Sequence, residues 1–202
     1  SGTPAGENFK QPDKQPSRTE KFPNFTSLQS HPTCAPLMEN SFVGYYSSPI
    51  GWVQITATHE GVASVLFVEN QTKAASEQQP GHVHTCLTQL DEYFKGERRT
   101  FDVPLVVKGT QFQLQVWEEL AHIPYAKLTT YKALAHKLKN PGAIRAIGAA
   151  NSRNPLCLII PCHRVVGSDT NLVGYAGGLW RKDWLIQHEA THGGGHRQLS
   201  LF

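Results

Sequence analysis

The chain has 202 residues, 19 lysines and arginines against 16 acids for a formal net charge of +3, and four cysteines. That length supports one domain or two small ones around a sizeable core. No apolar run approaches the ~20 residues of a membrane span, and Cys34, Cys86, Cys157 and Cys162 are spaced without the framework of a disulfide-stapled scaffold.

Residues 1–40 are rich in Pro, Lys, Gln, Ser and Thr, with isolated Phe9, Phe22 and Phe25, and are expected to form a disordered tail. Residues 42–46, 52–57 and 62–68 are rich in β-branched and aromatic side chains. Ser47-Ser48-Pro49-Ile50-Gly51 and His59-Glu60-Gly61 supply turn chemistry between them, so an antiparallel meander is predicted. From Gly81, Val83, Leu87, Leu90, Tyr93 and Phe94 fall on one helical face, and residues 101–107 read as a returning strand. Residues 41–109 are therefore expected to form a small α/β domain.

Past Gly109 the period becomes helical. Phe112, Val116, Trp117 and Leu120 make one stripe, ended by Ile123-Pro124-Tyr125. Thr129 or Thr130 can cap a helix carrying Tyr131, Leu134, Ala135 and Leu138, which stops at Lys139-Asn140-Pro141-Gly142. A second short helix runs from Ala143 to about Asn151 with few bulky side chains: Ala143, Ala146, Gly148, Ala149 and Ala150. Two short helices around a tight glycine-containing turn suggest a helix-turn-helix, from which Arg145 protrudes. Residues 110–191 form the second domain on this reading, and 192–202 a C-terminal tail.

Charge is unevenly spread. Lys127, Lys132, Lys137, Lys139, Arg145, Arg153 and Arg164 occupy a segment without a single Asp or Glu, whereas the preceding segment is acidic. Clustered cations of this kind neutralise phosphates and release counterions, which makes the basic half the expected polyanion contact. Arg153 and Arg164 are read as phosphate contacts or braces of the fold, and Lys132 and Lys182 as phosphate contacts.

Within the same segment Cys162 stands in Leu158-Ile159-Ile160-Pro161-Cys162-His163-Arg164-Val165. The apolar run predicts a short buried strand that Pro161 ends, delivering Cys162 at a fixed point. His163 and Arg164 place a proton acceptor and positive charge by the sulfur, which favours the nucleophilic thiolate. Cys157, Cys162 and His163 fit no standard zinc spacing.

The run Asn140-Pro141-Gly142-Ala143-Ile144-Arg145-Ala146-Ile147-Gly148-Ala149-Ala150-Asn151, then Arg153-Asn154-Pro155, Pro161-Cys162-His163-Arg164-Val165 and Gly174-Tyr175-Ala176-Gly177-Gly178-Leu179, resembles the O6-alkylguanine-DNA alkyltransferases, also called methylated-DNA–protein-cysteine methyltransferases. The resemblance implies an α/β (α+β) protein: a small ribonuclease H-like domain of antiparallel sheet and helix, then a mostly helical domain with a helix-turn-helix. It implies direct-reversal repair, in which Cys162 irreversibly takes the alkyl group of a flipped O6-alkylguanine in double-stranded DNA, with O4-alkylthymine as a second candidate substrate. His163 would take the thiol proton through a water, and Glu189 would orient the imidazole. Tyr131 would donate to guanine N3, the Ala176 N–H would hold O6, and the carbonyls of Cys162 and Val165 would accept from the exocyclic amine. Tyr175 and Cys157 would line the substrate pocket, and Asn154 would brace the turn beneath it. Arg145 would fill the space of the flipped nucleotide, with Ala143, Ala146, Gly148, Lys132 and Arg153 against the DNA.

No cofactor is implied, because the protein is the final acceptor. No metal is expected either, since Cys34, Cys86, His59 and His82 do not fall on the zinc positions of some animal relatives. The expected protein is a monomer, with cooperative assembly on DNA left open, and has no membrane partner. The chain opens without a secretory leader, which gives a cytoplasmic location, or a nuclear one in a eukaryote, as the expectation. Two other readings stay open here: a non-catalytic damage-binding module, and a cysteine hydrolase using Cys162 and His163, whose adjacent side chains diverge and would need a bridging water.

Overall fold

The computed structural model describes residues 25–29, 41–169, 171–194 and 198–199. Strands β1 (Phe25–Gln29), β2 (Phe42–Ser48), β3 (Gly51–Ala57) and β4 (Val62–Val68) come first, then helix α1 (Gly81–Phe94) and strand β5 (Leu105–Lys108). The meander β2-β3-β4 is antiparallel as the turn chemistry predicts. Val53, Ile55 and Ala57 alternate into the core while Trp52 stays outside, the two-residue period of a half-buried strand. Helix α1 is the crossover between β4 and β5, which run parallel, and the sheet order is β1-β5-β4-β3-β2.

Two expectations for this half change. A strand over 101–107 shortens to Leu105–Lys108. The Gln89 side chain captures both backbone groups of Asp102, and the Pro104 carbonyl accepts from Val62 N, so the chain before Leu105 is committed elsewhere, although Phe101 and Val103 are buried. Within the expected tail, β1 pairs in parallel with β5 and uses the hydrogen-bonding edge that β5 leaves open. The rest of 1–40 lies outside the described residues.

The second half carries α2 (Gln111–Ala121), β6 (Lys127–Thr130), α3 (Tyr131–Lys137), α4 (Ile144–Ser152), β7 (Val165–Val166), α5 (Leu179–His192) and β8 (Gln198–Leu199). Helix α2 opens on a capping box: Thr110 accepts from Gln113 N, and the Gln113 side chain accepts from Thr110 N. Thr130, rather than Thr129, caps α3 by accepting from Ala133 N at 3.0 Å. The turn between α3 and α4 passes through Lys139 at φ 54 and a 3-10 turn at Pro141–Ala143, so these helices form the expected two-helix motif. β8, inside the expected C-terminal tail, pairs with β6, which also pairs with β7.

The run before Cys162 is buried, but it is not a strand. Leu156 makes one bridge to Val65 of β4, and then residues 157–160 turn, with Leu158 at φ 75. Asn154 is the reason: its Oδ1 accepts from Leu156 N at 3.0 Å and its Nδ2 donates to the Ile160 carbonyl at 2.7 Å, occupying groups a strand would offer to a neighbour. One contiguous apolar cluster crosses both halves, from Val53, Ile55 and Leu90 through Val116, Trp117 and Leu120 to Ile147, Leu156, Ile160 and Leu185.

Candidate active site and nucleic-acid interface

Cys162 opens a 3-10 turn, Cys162–Arg164, and is 3% exposed. The turn places His163 and Arg164 inward toward Glu189 in the last turns of α5. His163 Nε2 lies 2.8 Å from Glu189 Oε1, Arg164 Nε donates to Oε2 at 2.9 Å and Nη2 to Oε1 at 2.9 Å, Tyr93 Oη donates to Oε1 at 2.8 Å, and Ala126 N donates to Oε2 at 3.0 Å. Burial opposes ionisation of this carboxyl, but Arg164 and His163 outweigh it and hold Glu189 well below the usual carboxylate range. An ionised carboxylate only accepts, so His163 Nε2 carries the hydrogen and Nδ1 keeps a lone pair. Nδ1 is buried and has no protein partner among the described residues. Burial dominates the imidazole's own titration and pushes it below the ordinary histidine value despite Glu189, which favours the neutral base.

The thiols of Cys157 and Cys162 are buried and influence one another's ionisation, and the Cys157 thiol donates to the Asn154 carbonyl at 4.0 Å. Cys157, raised well above the ordinary value first by its neighbour and then by burial, stays a protonated donor. Cys162 falls below it, first through Cys157, with further help from Asn154 and the charge of Lys182, against the opposing effect of burial. Lys182 is fully buried; its Nζ donates to the carbonyls of Val173 at 2.6 Å and Gly174 at 3.3 Å and lies 6.0 Å from the centre of the Tyr131 ring. Burial lowers it to about 8.

Tyr131 starts α3, half-buried, and burial beside Cys162 raises its hydroxyl to about 12, so it is a proton donor at neutral pH. Asn151 of α4 donates to its oxygen at 3.1 Å, which leaves the hydroxyl hydrogen for another acceptor. Tyr175 has a buried hydroxyl without a hydrogen-bond partner among the described residues, Val165 is buried in β7 beside the turn, and Ala176 is exposed in the loop before α5.

On the helix-turn-helix, Arg145, Ala146, Lys132 and Arg153 are exposed, and Ala143 is partly so. A Cβ built on Gly148 would meet nothing within 4 Å, so the protein's own packing does not require that glycine. Two expectations of phosphate contact fail. Arg164 is 6% exposed and committed to Glu189 and to the Ile123 carbonyl, which leaves its reading as a brace of the fold, and Lys182 is sealed from solvent. Lys137 is occupied by Glu119 at 2.8 Å.

Sequence reasoning missed Tyr93, Asn151 and the buried role of Lys182. Tyr93 lies on the apolar face of α1 and reads as core, and nothing local reveals that its hydroxyl reaches a carboxylate 96 positions away. Among the described residues no cluster of three or more His, Cys, Asp or Glu side chains could hold a metal ion, and no helix is long and apolar enough to cross a membrane.

Comparison with known proteins is consistent in both halves. The family described as "6-O-methylguanine DNA methyltransferase, DNA binding domain" matches residues 111–191, and the one described as "6-O-methylguanine DNA methyltransferase, ribonuclease-like domain" matches residues 42–107. The chain is 38% identical over 154 residues to a protein of Methanosarcina acetivorans named methylated-DNA–protein-cysteine methyltransferase, covering 74% of this chain and 99% of the relative. It is 43% identical over 146 residues to the protein of the same name from Mycobacterium leprae, covering 70% and 88%. Among solved structures, Mycobacterium tuberculosis OGT in complex with DNA superposes with a TM-score of 0.67 at 37% identity, covering 73% of this chain and 92% of that one.

Proposed function

The chain belongs to the methylated-DNA–protein-cysteine methyltransferase family, and from that premise we propose that it repairs O6-alkylguanine in duplex DNA by one irreversible transfer of the alkyl group to Cys162. The observation that carries the reading is the trio Cys162, His163 and Glu189: a nucleophile, a base and an orienting carboxylate, all buried, with the His163 Nδ1 lone pair unclaimed among the described residues. The thiol proton moves through a water to Nδ1. The sulfur then attacks the alkyl carbon, a C–S bond forms, and the C–O6 bond breaks with its electron pair passing to the purine. Tyr131 delivers a proton to N3, so the base leaves neutral. The Ala176 N–H accompanies O6 through the reaction, and the carbonyls of Cys162 and Val165 read the exocyclic amine. Tyr175 and Cys157 line the alkyl pocket, and Asn154 ties the recognition helix to the turn that carries the sulfur. O4-alkylthymine is the candidate second substrate.

The reacting carbon is hidden in a duplex, so the nucleotide must be extruded at a cost of a few kcal/mol, least for a poorly paired damaged base. Arg145 offsets that cost by occupying the vacated stack, and Ala143, Ala146 and Gly148 permit close approach to the groove. Lys132 and Arg153 hold phosphates without reading sequence. The thioether has no route back to a thiol, so each molecule acts once, as a monomer.

The test is intact mass after incubation with duplex containing O6-methylguanine. One methyl mass, mapped to Cys162 and stoichiometric with the base repaired, is expected. Unchanged mass with tight binding would instead identify a damage-binding module, and released product with turnover a hydrolase.

A further inference from the structure

Arg181 and Lys182, consecutive in the first turn of α5, grip the loop before that helix at two different places. Lys182 faces the site. Arg181, 8% exposed, faces away from it: Nη1 donates to the Gly177 carbonyl at 2.8 Å, and Nε donates to the Ile50 carbonyl at 2.8 Å. Its guanidinium lies 5.3 Å from the centre of the Phe67 ring and 4.4 Å from that of Trp180, with Nη2 3.5 Å from Glu69. Ile50 belongs to the β2–β3 turn and Phe67 to β4, so one side chain joins the substrate loop to the N-terminal domain.

The receptor for this arginine is closely fitted. Gly51 has φ 112, and a Cβ there would stand 3.0 Å from Nη2. A Cβ on Gly177 would come within 2.9 Å of the Tyr175 ring and 3.2 Å of Phe67, so the loop lies directly against β4. Gly178 N donates to the Tyr175 carbonyl at 3.0 Å, which closes residues 175–178 into one turn. Fixing the Gly177 carbonyl therefore fixes the whole turn, Ala176 included.

We infer that Arg181 is a positioning residue: by bridging Gly177 to Ile50 it makes the N-terminal domain the reference that sets where the Ala176 N–H meets O6 of the substrate base. The inference rests on the proposed role of Ala176. It gives the N-terminal domain, which contributes no group to the reacting atoms, a part in the transfer step. A planar fork can serve two separated carbonyls at once, whereas an ammonium on a flexible stem cannot hold both in one plane.

The test compares the full-length wild type with Arg181→Met and Arg181→Lys in single-turnover reactions, followed by intact mass. The substrates are O6-methylguanine duplex and free O6-benzylguanine, and iodoacetamide serves as an electrophile that needs no hydrogen bond to O6. In Arg181→Met the maximal transfer rate should fall about tenfold with both bases, the scale of a displacement under 1 Å. The half-saturating duplex concentration and the rate of iodoacetamide labelling at Cys162 should stay at wild-type values. Arg181→Lys should show the same pattern to a smaller degree, and it decides the matter if the methionine variant does not fold. Wild-type transfer rates in a folded variant would overturn the inference, as would a parallel loss of iodoacetamide labelling, which would place the defect at the thiol. A wild type that acquires no alkyl group from either base would instead overturn the transfer reading itself.

Discussion

Glu189→Gln tests the buried hub most directly. The substitution keeps the shape of the side chain but replaces one accepting oxygen with an amide donor facing His163, Arg164, Tyr93 or Ala126, all of which donate to the carboxylate. Glu189 is 1% exposed and Arg164 6%, so solvent cannot compensate, and the arginine is left as an unpaired buried charge. Breaking such a pair costs about 3–5 kcal/mol. For a chain of this size that corresponds to a melting temperature lower by about 6–20 °C. The pH dependence has a definite sign. The carboxyl ionises more readily folded than unfolded, so its contribution is fully present above the unfolded value of about 4.3 and is lost as pH falls toward the depressed folded value. The carboxyl's share of the gap between wild type and variant, measured by urea unfolding, should therefore be complete at pH 7 and shrink below about pH 4. Alkyl transfer at neutral pH should fall by about 10²- to 10⁴-fold, as His163 loses the partner that sets its tautomer. A stability loss below about 1 kcal/mol, or a gap that stays undiminished well below about pH 4, would refute the assignment of Glu189 as an ionised hub.

Other expectations follow from the same geometry. Cys162→Ser should abolish transfer yet bind undamaged duplex like the wild type; an adduct on that variant would show that another residue is the acceptor. Arg145→Ala should slow duplex repair far more than reaction with free O6-benzylguanine, because only the duplex needs a flipped nucleotide stabilised, and equal losses would remove the wedge role. Iodoacetamide labelling of Cys162 should reach half its maximal rate below the ordinary thiol value of about 8.5, and Lys182→Met should move that midpoint upward; a midpoint at or above the ordinary value would count against an activated thiol. If the exposed cations Lys132, Lys139 and Arg153 all contact phosphate while Arg145 enters the stack, log K against log salt should slope near about −2.7, shallower by about 0.9 in Lys132→Ala, whereas salt-independent binding would dispose of the interface.

Much of this molecule was legible because its signals are local. The alternation in β3, the turn residues on either side of it, the helical stripe of α2 and the cap at Thr130 each depend on neighbours a few positions apart. The segment before Cys162 is ambiguous in sequence for the opposite reason. An apolar run looks alike as strand or buried turn, and the choice fell to Asn154, whose side chain takes the backbone partners of residues 156 and 160. The cation count of the basic segment likewise overstated its exposed charge, since a sequence does not show that Arg164 turns inward to a carboxylate 25 positions on. Tyr93 and Lys182 are the extreme case. Tyr93 reaches a carboxylate 96 positions away across the core, and Lys182 buries its ammonium on the carbonyls of Val173 and Gly174, neither of which any pattern in the chain foretells.

The apolar cluster that crosses both halves bears on what can be cut from the molecule. Families and composition both draw a border near Gly109, yet Val65 of β4 donates to the Pro155 carbonyl and accepts from Cys157 N, so the sheet of one half supplies the edge on which the reactive segment of the other is laid. A piece beginning at Gln111 would keep the thiol, the helix-turn-helix and α5. It would also bare the flank of Leu156 and Ile160, orphan those two backbone groups and lose the Tyr93 hydroxyl from Glu189. The modules that comparison separates are therefore interdependent in folding, and grafting the reactive half onto another scaffold would require carrying β4 and α1 with it.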